Sequence, residues 1–106
     1  MKASREEEKL RQYCLQRGGV CLKLSAPERG FPDRTVFLPP SQVLFIEFKI
    51  GKDKESSHQV YWREKLTNMG HVCIVVHSAQ EAIDYIEEHY ENLPPARLPA
   101  RRSKRR

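Results

Sequence analysis

No stretch of this chain approaches the ~20 consecutive apolar residues that a bilayer-spanning helix needs, and the opening Met1-Lys2-Ala3-Ser4-Arg5-Glu6 leads into no apolar signal core. Cysteine is scarce: Cys14, Cys21 and Cys73 form an odd set with no CxxC pair, which excludes a disulfide framework and a zinc knuckle. His58, His71, His77 and His89 show neither HxH nor HxxxH spacing, so a histidine-held metal is not expected. Acid is missing from the end of the chain. After Glu91 come Arg97, Arg101, Arg102, Lys104, Arg105 and Arg106 with no Asp or Glu, so only 13 of the 19 Lys and Arg stand against the 14 acids before that point. The net charge of +5 therefore belongs to a tail on a nearly neutral body. The tail reads either as a solvated end or as a salt-sensitive phosphate-binding arm.

What is present is one domain's worth of patterned sequence. At 106 residues, 39% of them hydrophobic, the chain supports a single modest core. The spacing of Leu10, Tyr13 and Cys14 predicts a helix over about Ser4–Arg17, stopped by Gly18-Gly19. A strand follows over Val20–Ser25, with Val20, Leu22 and Leu24 on one face. Arg34–Leu38 and Gln42–Ile50 read as a hairpin about Pro39-Pro40-Ser41, because proline punctuates strands and cannot pair within them. A second helix is expected over Ser57–Met69, with Trp62, Leu66 and Met69 inward, then a strand over His71–His77 apolar enough to be buried on both faces. A third helix over Ala79–Glu91 turns Ala82, Ile83, Ile86 and Tyr90 inward. The order predicts an α/β fold: a mixed sheet of about four strands flanked by helices, with a parallel strand-helix-strand unit.

The chemistry concentrates in the strand Gln42–Ile50. Leu44, Ile46, Phe48 and Ile50 share one face, while Glu47 and Lys49 lie on the other beside Phe45. An i, i+2 ion pair on a solvated face would explain this alone. The hairpin adds more: Asp33 and Glu47 each lie seven residues from Pro40, so a symmetric turn sets them opposite one another. Opposed residues have Cβ atoms ~5 Å apart. Two carboxylates at that distance repel, and a divalent cation with hard oxygen ligands such as Mg²⁺ resolves the conflict. Lys49 beside it suits the orientation or deprotonation of an attacking water, which arginine does not.

Two further residues carry double readings. Glu7 lies on the inward face of the first helix, yet Ser4-x-x-Glu7 is also a capping box, whereas Glu6 and Glu8 read as exposed. Gln59 forms a second box, Ser56-x-x-Gln59, but shares a stripe with Trp62 and Leu66 that points along the sheet towards Lys49.

Taken in order, Glu7, Gly18-Gly19, Lys23, Gly30-Phe31-Pro32-Asp33-Arg34, Glu47-Phe48-Lys49 and Gln59 resemble a VRR-NUC domain, a branch of the PD-(D/E)xK nucleases with a restriction-endonuclease-like core. The resemblance runs from about Glu7 to Ile86 and is to the stand-alone bacteriophage and bacterial type, related to the nuclease domain of the Fanconi anaemia-associated nuclease. It implies metal binding (Mg²⁺ or Mn²⁺) by Glu7, Asp33 and Glu47, a catalytic Lys49 and a supporting Gln59. It also implies hydrolysis of DNA phosphodiesters, with similarity to homodimeric Holliday-junction resolvases. Lys23, Arg34, Arg101, Arg102, Lys104, Arg105 and Arg106 are the candidate DNA-binding cations, with ordinary surface charge as the alternative. The expected layout is a nuclease domain over 1–93 and a basic tail over 94–106. The expected location is cytoplasmic, in the host for a viral chain. A non-catalytic nucleic-acid-binding module on the same fold is the alternative function.

Overall fold

The computed structural model describes residues 3–24 and 28–90. Helix α1 (Ala3–Gln16) leads through Gly18 and Gly19 into β1 (Val20–Leu22), and a connecting arm reaches β2 (Arg34–Leu38). β3 (Gln42–Phe48), α2 (Ser57–Asn68), β4 (Val72–Val76) and α3 (Ala79–His89) complete the order α-β-β-β-α-β-α. The strands lie in the sheet in chain order, antiparallel from β1 through β3 and parallel from β3 to β4. This is the expected mixed four-stranded α/β sheet flanked by helices.

The pleat sorts the side chains into two layers. One face, carrying Cys21, Val36, Leu38, Leu44, Ile46, Phe48 and Val76, packs with Leu10 and Cys14 of α1 and Ala82 and Ile86 of α3 into the core. Leu10, Leu44, Ile46 and Ile86 are fully buried, each contributing about 1.5–3 kcal/mol. The other face carries Phe45 and Glu47. Along it Phe31 meets Phe45 and Trp62 edge-to-face, with centroids 5.8 and 5.5 Å apart, so α2 and the arm before β2 meet over β3.

Several expectations need correction. β1 stops at Leu22, and its buried residue is Cys21. Val20, Leu22 and Leu24 share one face as expected, and it is the exposed one, because the core lies on the Cys21 side of the strand. β4 reads like a central strand but is an edge strand, so only Val76 in it is buried. Met69 is exposed: it follows the last turn of α2, and Leu66 is that helix's buried residue. Ser4 lies inside α1, which begins at Ala3, so it is not the cap of that helix. Glu6 is buried at 2% exposure, where its Oε1 accepts the backbone N–H of Ala79 at 2.8 Å and so caps α3 across the helix pair. That hydrogen bond outweighs burial, which pushes the other way, and holds the Glu6 carboxyl below its usual range. The tail cations Arg101, Arg102, Lys104, Arg105 and Arg106 and the boundary at 93–94 lie outside the described residues.

Candidate active site

The register of the hairpin decides where its carboxylates stand. Arg34 pairs with Ile46 and Leu38 with Gln42, so the next rung outward sets Asp33 against Glu47, on the face opposite the main core. Asp33 Oδ2 accepts the backbone N–H of Phe48 at 2.8 Å, which fixes its carboxylate across the end of β3.

Glu47 is 3% exposed, and two residues reach it. Gln59 Nε2 donates to Glu47 Oε2 at 2.6 Å, and Lys49 Nζ lies 3.3 Å from the same oxygen. Burial, reinforced by the neighbouring Asp33 charge and only partly offset by Lys49, pushes the Glu47 carboxyl up to about 7. The Asp33 carboxylate, the buried Glu47 carboxylate and the Lys49 ammonium thus meet at one end of the hairpin, with the negative charge incompletely balanced.

Gln59 satisfies both of its readings at once. Its amide oxygen accepts the backbone N–H of Ser56 at 2.8 Å, and its own N–H donates to Ser56 Oγ at 3.2 Å, which completes the capping box. The amide NH₂ remains for Glu47. One side chain therefore ties the start of α2 to β3.

Glu7 stands apart from this pair. Its Oε1 accepts from Arg34 Nε at 2.7 Å, while Arg34 Nη1 donates to the Cys21 carbonyl at 3.2 Å. Both side chains are largely buried, and Arg34 on the core side of β2 is held by these contacts. Glu7, Asp33 and Glu47 do not form a three-carboxylate cluster, and no group of three His, Cys, Asp or Glu among the described residues is placed to hold an ion. Lys23 is exposed and shares a pocket of about 160 Å³ with Glu28, Gly30 and Asp33.

Two contacts went unread in the sequence, although Gly30 is among the residues that carry the family resemblance. Arg63 grips Glu55 through two hydrogen bonds of 2.9 and 2.8 Å, closing the loop that follows Lys49. Arg63 lies four residues after Gln59, the spacing that stacks side chains on one helix face, and this was the available signal. Gly30 is the second: a Cβ there would stand 2.5 Å from the backbone carbon of His58. Its φ of +87° also belongs to the left-handed region that favours glycine.

No family model matches the chain. It is 37% identical over 62 residues to "Putative nuclease p44" of Acyrthosiphon pisum secondary endosymbiont phage 1, covering 58% of this chain and 67% of that protein. A solved structure described as "VRR_NUC domain" superposes with a TM-score of 0.63 at 32% identity, covering 80% of this chain and 97% of the other. The chain belongs to the VRR-NUC family. As a VRR-NUC nuclease it has the fold that its residues implied, and no described helix is long and apolar enough to cross a membrane.

Proposed function

We propose that this VRR-NUC chain is a divalent-metal-dependent DNA endonuclease, using Mg²⁺ or Mn²⁺, that acts on branched DNA such as four-way junctions as a homodimer. The observation that carries the reading is the Asp33–Glu47 pair, opposed across the hairpin with Lys49 Nζ 3.3 Å from Glu47. Two carboxylates match the habit of Mg²⁺, which takes one or two protein oxygens and keeps its waters. The incompletely balanced charge at Glu47 favours such an ion. Glu7, the third carboxylate of the expected set, is paired with Arg34 on the core side of β2, and it would join the ion only by giving up that partner.

When bound, the ion supplies Lewis-acid polarisation of a phosphate oxygen. The chain's own groups do the rest. Asp33 and Glu47 are fixed by the Phe48 N–H and the Gln59 amide, so their oxygens need no reorganisation. Lys49 Nζ orients the attacking water and offsets charge as water adds to phosphorus and the ester P–O bond breaks. One such site cuts one strand, and a two-fold pair cuts two related strands.

The test is cleavage of a labelled four-way junction by purified protein with Mg²⁺. Wild type cuts, and Lys49→Ala and Asp33→Ala do not. Undiminished cutting by either variant sinks the assignment. Light scattering checks the dimer.

A further inference from the structure

The described body of the protein binds half of its Lys and Arg charge internally. Lys9, Arg11, Arg17, Arg34, Lys49 and Arg63 each pair with a carboxylate. Arg5, Lys23, Arg29, Lys52, Lys54 and Lys65 enter no ion pair among the described residues.

Four of these unpaired cations stand on the two segments that enter and leave the catalytic hairpin. Lys23 follows β1 directly and lines the pocket of about 160 Å³ that it shares with Asp33. Arg29 is exposed on the arm leading into Asp33. On the other side, Lys52 and Lys54 are exposed on the loop that begins right after Lys49. The first segment also holds Glu28, and the second holds Asp53 and Glu55, of which Glu55 is paired with Arg63, so each is left with one more cation than unpaired anion.

Both segments are anchored. Gly30 lies against the backbone of His58 at the start of α2, which anchors the first at its end next to Arg29. The bidentate Arg63–Glu55 pair fixes the far end of the second and neutralises Glu55 there. Positive charge on two held segments beside a pair of carboxylates suits a polyanion that passes over the carboxylates and touches both sides.

We infer that Lys23 and Arg29 on one side, and Lys52 and Lys54 on the other, form a split track for the nucleic-acid backbone, holding phosphates on either side of the one that is cut. This deepens the nuclease reading and rests on it. The contacts are to phosphate, so they position the strand without reading bases. Each phosphate contact adds about 0.9 to the slope of log affinity against log salt on duplex DNA. Arg5 on α1 and Lys65, whose Nζ lies 5.8 Å from the Tyr61 ring centroid on α2, lie outside the track.

The experiment is binding of a fluorescein-labelled four-way junction by anisotropy in EDTA, with the full chain, between about 50 and 200 mM KCl. The double variants Lys23→Ala/Arg29→Ala and Lys52→Ala/Lys54→Ala each flatten the salt slope by roughly 1.8 and weaken binding on the order of tenfold. Arg5→Ala/Lys65→Ala leaves both unchanged. A wild-type slope in either track variant overturns the inference, as does equal flattening by the control. Because binding is read without metal, a chain that binds along the track yet never cuts overturns the nuclease reading alone.

Discussion

The amide of Gln59 hydrogen-bonds Glu47 Oε2 at 2.6 Å while its oxygen caps α2 on the Ser56 N–H at 2.8 Å. The start of the helix and the buried carboxylate are thereby held by opposite ends of one group. Gln59→Glu separates the two tasks, because a carboxylate still accepts from Ser56 but cannot donate to Glu47. Mg²⁺-dependent cutting is expected to fall roughly 10–100-fold, with the thermal midpoint nearly unchanged. Full activity in this variant would show that the contact to Glu47 is dispensable.

Glu47 titrates near 7 in the folded chain against its ordinary 4.5, so folding favours its protonated form. In metal-free protein that contribution is complete below pH 4.5 and is lost as the pH rises through about 7. Unfolding in EDTA, followed by circular dichroism from about pH 5 to 8, should show wild type losing stability over this window relative to Glu47→Gln. The half-saturating Mg²⁺ concentration for cleavage should fall over the same window, since the ion competes with the proton. Parallel stability curves for the two proteins would count against the burial argument.

Arg34 and Glu7 are both largely buried and meet at 2.7 Å. Arg34→Ala strands the Glu7 carboxylate, and a loss of about 3–5 kcal/mol is expected in urea unfolding. Adding Glu7→Gln to that variant should recover much of the loss, because the unpaired charge goes with it. Equal instability of the single and double variants would place the defect elsewhere, for example in the bond from Arg34 to the Cys21 carbonyl.

Gly30→Ala must move either the arm or the start of α2, since its Cβ would lie within 2.5–2.7 Å of three His58 atoms. Strain in the left-handed region adds to the clash. The expected result is a destabilisation of at least about 1 kcal/mol, together with a lower turnover number because Asp33 lies three residues along the same arm. Comparison with Gly51→Ala, whose Cβ meets nothing within 4 Å, separates the clash from the cost of positive φ.

The sequence displayed the site's chemistry more clearly than its layering. The turn at Pro39–Ser41 and the alternation through Leu44, Ile46 and Phe48 were enough to oppose Asp33 and Glu47, because strand pairing is counted in integers. Burial at the sheet's edges was harder to read. Val20, Leu22 and Leu24 are as apolar as core residues, and only the placement of the helices shows that their side of β1 is exposed. The same ignorance made β4 look central. Glu6 and Glu7 are neighbours in an acidic run, and nothing local reveals that one meets the N-terminus of α3 while the other meets Arg34. Each partner comes from a distant part of the chain.

The hairpin also makes the chemistry depend on parity. Inserting or deleting one residue within β2 or β3 rotates a carboxylate to the far side of the sheet, among Leu44, Ile46 and Val36, whereas a paired insertion that lengthens both strands keeps Asp33 and Glu47 together. Exchanging an exposed side chain such as Phe37 leaves the spacing intact. A frame-preserving deletion of a single codon beside it dismantles the constellation, although every residue of the site is still encoded.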